Sequence, residues 1–361
     1  MATGVSGDTP PDAAGGKTSP QQSGRRRSKA RWLVHGVMFV GVTVGLFGLL
    51  PRLGGLTHDA AGLRHARPAF VGAAIVAQGA SLACYALLYR RVLASLGARL
   101  GFRLAAGVVL ATFLISHVTP FGSATGTLLN VSTLETKGIA ASTTGEAIGL
   151  TSLVSAAALI ALFAAGLVAT AGRHLSSSYL MIAGVALVLV ASAAAIALLL
   201  GAHPAIAERA ARRAARLACR VRPSIDPEKV AQTSGRLVSL ARSALTGRAF
   251  LESFGFASAD LLFDLLSLDL MFLAFRYQPG FGPLVLAYAA ANIASTIPIT
   301  PGGLGVIEVT LVAITVGFGA PRATAVLAVL GYRVVNYWLP LPVGALAYLR
   351  LRLRPNAADN G

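Results

Sequence analysis

Apolar residues run through most of this chain in segments that end at proline, glycine or charged positions. The first segment covers 32–50, and several later ones are longer. A helix of about 20 apolar residues is long enough to cross the roughly 30 Å hydrocarbon layer of a membrane. The pattern therefore predicts an all-α polytopic membrane protein. The further apolar segments are 69–89, 104–118, 146–171, 179–200, 253–275, 283–297, 304–319 and 323–349.

Three of these segments, 104–118, 283–297 and 304–319, are too short for a full crossing, because 15 or 16 residues cover only about 22–24 Å of helix. Each borders a break rich in proline and glycine. We therefore expect about six full spans plus two re-entrant helical hairpins, at 104–134 and 283–319. The alternative is that both arms of each hairpin cross fully, which together with the six full spans would give ten spans.

The distribution of Lys and Arg predicts the orientation of the spans, since cytoplasmic loops carry an excess of basic residues. On one side lie the basic residues of the amino-terminal tail, of the loop 90–103, of 203–248 and of the carboxyl-terminal strip. Both termini are therefore expected in the cytoplasm. The two hairpins then enter from opposite faces, as in an inverted repeat whose broken helices form a substrate site at the midplane.

Both breaks contain a Thr-Pro-x-Gly core, and proline and glycine interrupt a helix and free backbone groups. Such backbone survives at membrane depth when it is buried in protein or lines a wet cavity. Helices that restart near Ser123 and Leu304 could offer amide groups to an anion such as a lipid phosphate, and a pair of packing kinks is the alternative. The candidate binding residues of the breaks are Thr119, Pro120, Gly122, Ser123, Gly126, Thr300, Pro301, Gly302, Gly303 and Gly305.

Ionisable residues inside apolar segments point to function, because each costs about 2.5–3.5 kcal/mol at mid-span. The set of candidate binding residues is completed by three ionisable residues, Asp264, Glu308 and Arg333, and by the polar Asn336. Arg333 could pair with Glu308 or Asp264, or bind a phosphate with two parallel hydrogen bonds. A purely structural ion pair is an equal alternative. Asp260 shares a helix face with Asp264, four residues away.

Composition excludes an ordinary soluble enzyme, since 55% of the 361 residues are hydrophobic, 12% are charged and the mean hydropathy is +0.69. The net charge of +17 reflects membrane topology, and we expect no nucleic-acid partner. Cys84 and Cys219 are expected to be free thiols. The chain has no dinucleotide-binding, P-loop, zinc-protease or hydrolase motif, so we expect no cofactor, metal or catalytic residues.

The polar segments flank or interrupt a membrane domain predicted over 32–350. Residues 1–31 read as a disordered basic cytoplasmic tail, and 351–361 as a second cytoplasmic tail. Within the domain, 203–248 has the pattern of a basic amphipathic helix that binds anionic lipid headgroups at the cytoplasmic face, with a solvated linker as the alternative. Glycines spaced four apart could support a homodimer, although packing within one chain is commoner.

The run Pro301-Gly302-Gly303-Leu304-Gly305-Val306-Ile307-Glu308 resembles the signature of the flippase-like family typified by the transmembrane domain of lysylphosphatidylglycerol synthases, the UPF0104 membrane proteins. The stretch from Tyr332 to Pro340 and the first break add to this resemblance. It implies a plasma-membrane protein with opposed re-entrant hairpins that moves or handles aminoacylated phosphatidylglycerol or a polyprenyl-phosphate-linked lipid. The resemblance gives the strongest expectation of substrate contact to Pro301, Gly302, Gly303, Gly305, Glu308 and Arg333.

These observations favour a protein that translocates a phosphorylated lipid between leaflets. The chain ends at Gly361, so we expect no aminoacyl-transfer domain and no synthase activity. Two other functions stay open: a non-catalytic partner of a separate lipid-modifying synthase or glycosyltransferase, and a proton-coupled exporter of small solutes in which Asp264 and Glu308 carry protons.

Overall fold

A computed structural model of the protein describes residues 66–118, 122–170, 247–296 and 301–353, together with residues 209 and 213. Every regular element in these ranges is helical, as the sequence predicts. The α-helices are α1 (Pro68–Ser95), α2 (Phe102–Val118), α3 (Gly122–Glu135), α4 (Ala141–Thr170), α5 (Arg248–Ala274), α6 (Phe281–Ser295), α7 (Val306–Gly317), α8 (Arg322–Arg333) and α9 (Pro340–Leu353). A short 3-10 turn (Pro301–Gly303) precedes α7, and a π-helical turn (Val334–Trp338) joins α8 to α9.

Three helical stretches in the described ranges are long and apolar enough to cross a membrane: α1, α4 and the run from α8 to α9, with 28, 30 and 32 residues. Helix α5 has 27 residues and is as long, but it carries three aspartates. The predicted spans 32–50 and 179–200, the tail 1–31, most of the basic segment 203–248 and the tail from residue 354 lie outside the described residues.

The last predicted span, 323–349, is helical throughout but changes its winding near the middle. The amide of Leu339 donates to the carbonyl of Val334, five residues earlier, at 2.9 Å. Pro340, which has no N–H group, then begins α9. The wider turn changes the direction of side chains after Arg333, so that this span presents polar groups to several neighbouring helices.

The short segments form two helical hairpins. Helices α2 and α3 pack against each other across the connection 119–121, and α6 packs against α7 in the same way. At 1.5 Å per residue, their lengths of about 26, 21, 22 and 18 Å are all below the roughly 30 Å of a hydrocarbon core. The prediction that helix stops at both breaks is confirmed.

The two hairpins open at opposite ends of the bundle. At one end the amide of Arg67, before α1, donates to the carbonyl of Ala274 at the end of α5, at 3.0 Å. The end of α4 is also here, since Leu167 packs in the same apolar cluster as Val71 and Met271. Helix α6 begins at this end, because Gly282 lies against the backbone of Ala169. At the other end Arg91 pairs with Glu252, and the first hairpin begins soon after α1 ends.

The tips of the hairpins nevertheless meet. His117 lies one residue before the end of α2, and Gly302 lies in the 3-10 turn before α7. A Cβ atom built on Gly302 would be 2.9 Å from Cδ2 of His117. The Tyr337 hydroxyl donates to the carbonyl of His117 at 3.3 Å. The π-helical turn therefore lies against both tips.

Candidate functional site

Glu308 and Arg333 form a buried ion pair beside the second break. The Nε atom of Arg333 donates to Oε1 of Glu308 at 2.6 Å, and each side chain is only 3% exposed. The guanidinium carbon also lies 4.8 Å from the centre of the Tyr337 ring. The structure thus selects Glu308, and not Asp264, as the ion-pair partner of Arg333.

The same pair holds the backbone of the break. Nη2 of Arg333 donates to the carbonyl of Gly302 at 3.1 Å, and the amide of Gly305 donates to Oε2 of Glu308 at 2.6 Å. Glu308 is in the first turn of α7, where a carboxylate also interacts favourably with the helix dipole. The anion at this helix terminus is therefore a side chain of the protein itself.

The sequence predicted that the helix after the second break begins near Leu304, whereas α7 begins at Val306. Positive φ angles explain the difference. Gly302, Gly303 and Gly305 have φ values of 63°, 65° and 88°. A right-handed helix cannot include these angles, so the chain takes a compact turn before α7. Gly302 also packs against the Tyr337 ring, which leaves no room for a side chain.

Asp264, on α5, accepts hydrogen bonds from three side chains. The Tyr288 hydroxyl donates at 2.7 Å and the amide of Asn336 at 2.7 Å. The Tyr332 hydroxyl lies 3.0 Å from both carboxylate oxygens. These donors come from α6, α8 and the π-helical turn, so Asp264 on α5 connects the elements around it.

A cavity of about 320 Å³ lies next to this cluster, between α1, α2, α3, α4, α5 and the π-helical turn. Its polar and ionisable lining includes Gln78, Ser81, Tyr85, Tyr89, Thr112, Ser116, His117, Thr127, Asn130, Thr151, Asp260, Asp264 and Asn336. The lining residues that the structure describes contain two aspartates and neither lysine nor arginine. The cavity therefore suits a neutral or cationic group better than an anion.

An apolar groove of about 300 Å³ borders the cavity. The two spaces share Gln78 and Leu82 of α1 as a common wall. The remaining groove residues are Ile75, Gly79, Ala83, Phe102, Ala106, Leu110, Val335, Leu339, Pro340 and Val343. Ile75, Phe102 and Val343 are exposed, so the groove is open at the surface of the bundle.

The structure brings together most of the binding residues that were predicted in and after α5. Gly302, Gly305, Glu308 and Arg333 are linked by hydrogen bonds, and Asp264 is bonded to Asn336. Of these groups, Asp264 and Asn336 line the large cavity, whereas the ion pair lies outside its lining. A substrate role for the ion pair stays a prediction, and a phosphate at the start of α7 would have to displace Glu308.

In the first break, the described glycines serve close packing within the hairpin. Gly122 lies directly against the carbonyl of Ser116, and a Cβ on Gly126 would be 3.2 Å from the Thr112 methyl group. Thr119, Pro120 and Thr300 lie outside the described residues, and the side chains of Ser123 and Pro301 are not described. Substrate contacts by these residues stay predictions.

Sequence reasoning missed several polar residues of the cavity, notably Gln78, Ser81, Tyr89 and Asn130, and it also missed Tyr288, which donates to Asp264. Tyr89 donates to Oδ1 of Asn130 at 2.8 Å, which links α1 to α3. The spacing of Gln78 and Ser81, three residues apart in an apolar helix, was the available signal, because such residues share a helix face. The shared face of Asp260 and Asp264 was predicted and is confirmed, since both line the cavity.

The apolar helices and the internal polar cluster define a multi-pass helical membrane protein. More specifically, the chain belongs to the family described as the lysylphosphatidylglycerol synthase TM region, which matches residues 35–344. Family membership confirms the resemblance found in the sequence.

Two relatives share parts of this region. Over 85 residues the chain is 31% identical to a UPF0104 membrane protein of Methanothermobacter thermautotrophicus, covering 24% of this chain and 25% of that protein. Over 61 residues it is 36% identical to the inner membrane protein YbhN of Escherichia coli, covering 17% and 19% of the two chains. The matched stretches thus span about a quarter and a fifth of these relatives.

Proposed function

We propose that the protein moves a phosphorylated lipid between membrane leaflets, with part of the headgroup in the polar cavity and a hydrocarbon chain in the apolar groove. The observation that carries this proposal is the wall of Gln78 and Leu82 that the two spaces share. A polar space beside an apolar one matches the two ends of an amphiphile. Membership in a family named for lysylphosphatidylglycerol synthases supports a lipid substrate.

The charge of the lining favours one class of headgroup. Asp260 and Asp264 would repel a phosphate placed between them, and the described lining has no lysine or arginine to offset them. We therefore place an amine- or hydroxyl-bearing end of the headgroup in the cavity, with the phosphate outside it. This favours an aminoacyl-phospholipid over a lipid that ends in a bare phosphate.

The proposal includes the expected topology of about six full spans and two re-entrant hairpins in an inverted repeat. Contact between the tips supports it, since His117 and Gly302 belong to hairpins that open at opposite ends of the bundle. Two fully crossing hairpins would place their tips at opposite faces, about 30 Å apart. We further propose a plasma-membrane location, cytoplasmic termini, and binding of anionic lipid headgroups by the segment 203–248.

The test is exchange of fluorescent lipids between leaflets of proteoliposomes that contain the purified full chain. Fluorescent phosphatidylglycerol and its lysyl ester would be compared with phosphatidylcholine, and the outer leaflet would be quenched with an impermeant reductant. We expect faster exchange of the lysyl ester than in protein-free vesicles. Gly79→Leu should slow this exchange, because Gly79 lines the groove and has open space where the new side chain would lie.

Gly72→Leu is the matched control, since Gly72 is on the same helix, also has open space around it, and lies outside the groove. It should exchange lipid like the unmodified protein. Equal exchange in protein-containing and empty vesicles, with the protein shown to be folded, would overturn the proposal. If a synthase or glycosyltransferase were then captured with the protein in mild detergent at a stoichiometric ratio, a role as the non-catalytic partner of that enzyme would be favoured.

A further inference from the structure

Two carboxylates on one face of α5 have very different surroundings. Asp264 accepts hydrogen bonds from Tyr288, Tyr332 and Asn336, which together occupy both of its oxygens. The described residues supply Asp260 with a single donor, the Ser81 hydroxyl, at 2.6 Å from Oδ1. A buried carboxylate is stabilised by several donors or by a positive charge, so Asp260 has far less support than Asp264.

Further oxygen atoms of the same cavity have no partner. Oε1 of Gln78 and the hydroxyl oxygens of Thr112 and Thr151 are buried and make no hydrogen bond to the described residues. Gln78 is 4% exposed and Thr151 is 1% exposed. Gln78 lies one helical turn before Ser81, the residue that contacts Asp260. Unpaired buried oxygens that line the same cavity as an under-supported carboxylate are groups that a bound cation would satisfy.

We propose that Asp260 and the amide oxygen of Gln78 bind a small monovalent cation in the cavity, with threonine hydroxyls of the same lining as further oxygen ligands. The cation is either a free sodium ion or an ammonium group. Carboxylate, amide and hydroxyl oxygens are the ligands that hard cations prefer. One positive charge would balance Asp260, for which the described lining provides no lysine or arginine.

A cation explains the site better than protonation of the carboxylate. A proton on Asp260 would neutralise that group and could donate one hydrogen bond, but one donor cannot serve Oε1 of Gln78 and both threonine oxygens at once. A sodium ion or an ammonium group contacts several oxygens at once and so satisfies the cluster as a unit. The inference extends the proposed function, because a bound cation could couple headgroup movement to an ion gradient.

The test measures cation binding without transport. The purified full chain in phosphatidylcholine nanodiscs would be unfolded thermally while sodium chloride, or methylammonium chloride, replaces choline chloride at constant ionic strength. We expect one of the two small cations to raise Tm in a saturable manner. Asp260→Asn should lower the apparent affinity for that cation about tenfold or more, because it removes the charge and keeps the acceptor for Ser81.

Asp269→Asn is the matched control, since Asp269 is on the same helix but does not line the cavity, and it should keep the full shift in Tm. If Asp260→Asn fails to fold, Gln78→Leu provides a second variant with reduced affinity. A sodium response identifies a free ion, and a response to methylammonium alone identifies an ammonium group. The inference would be overturned if neither cation raised Tm, or if Asp260→Asn showed the same shift in Tm as the unmodified protein.

The outcome is separable from that of the proposed function. If the protein binds a cation through Asp260 but does not speed lipid exchange, the proposed translocation is wrong and the cation site is supported. If lipid exchange is equally fast in sodium and choline and no cation changes Tm, translocation is supported and the cation site is wrong.

Discussion

The Nε atom of Arg333 lies 2.6 Å from Oε1 of Glu308 and joins the end of α8 to the first turn of α7. Both side chains are buried, and the same two residues bind the backbone of Gly302 and Gly305. The ion pair therefore stabilises the conformation of the second break. Since the break contacts the first hairpin through His117, the pair also stabilises the junction of the two tips.

Removing either charge of this pair should lower the free energy of unfolding strongly. Removing both charges should lower it by less than the sum of the two single losses. Glu308→Gln or Arg333→Gln would leave one buried charge unpaired, which lowers the free energy of unfolding by about 3–5 kcal/mol. The double variant leaves no buried charge. Chemical unfolding in nanodiscs measures all three differences, and additive losses would contradict a direct interaction.

The partly exposed pair of Arg91 and Glu252 provides a comparison for this experiment. Their side chains are 31% and 37% exposed, so solvent screens the attraction. Arg91→Gln should therefore have a much smaller effect on stability than Arg333→Gln. Equal effects would show that burial of the pair is not the cause.

Asp264→Asn should destabilise the cluster around α5. The new amide group would face the donors of Tyr288, Tyr332 and Asn336, so one or more polar groups would lose a partner. We expect a loss of about 1–3 kcal/mol in the free energy of unfolding, the usual cost of an unsatisfied buried group. Asp269→Asn is the control in a urea titration, and an equal loss there would contradict this role of Asp264.

Gly302→Ala should be more harmful than Gly319→Ala, although both glycines have positive φ. A left-handed conformation costs a non-glycine residue about 1–2 kcal/mol, and both variants incur this cost. Only at Gly302 would the added Cβ meet the Tyr337 ring and His117, because nothing lies within 4 Å of a Cβ at Gly319. Thermal unfolding of the two variants tests the difference, which should disappear if Gly302 does not pack against Tyr337 and His117.

Labelling of single cysteines tests the re-entrant topology, with Cys84 and Cys219 first replaced by serine. In intact cells an impermeant maleimide should label Gln278→Cys, which lies before α6 and is expected outside. In inverted vesicles it should label Ala140→Cys, which lies between α3 and α4. Thr296→Cys, at the tip of the second hairpin, should not react from the cytoplasmic side. Reaction there would favour ten full spans.

Much of the fold could be predicted from the sequence, because hydropathy and backbone constraints are local properties. Long apolar segments predicted the helices, and proline and glycine predicted the two breaks. The positive φ of Gly302, Gly303 and Gly305 gives the second break its physical basis. The four-residue spacing of Asp260 and Asp264 placed them on one face, and both line the cavity.

The partners of these residues were decided only by the tertiary structure. Local sequence left Arg333 with Glu308, Asp264 or a phosphate as partner, and the packing of α7 against α8 selected Glu308. The π-helical turn directs Asn336 to Asp264, and Tyr288 reaches the same carboxylate from α6. Hydropathy along one chain places polar groups within helices, but which groups meet depends on how separate helices pack.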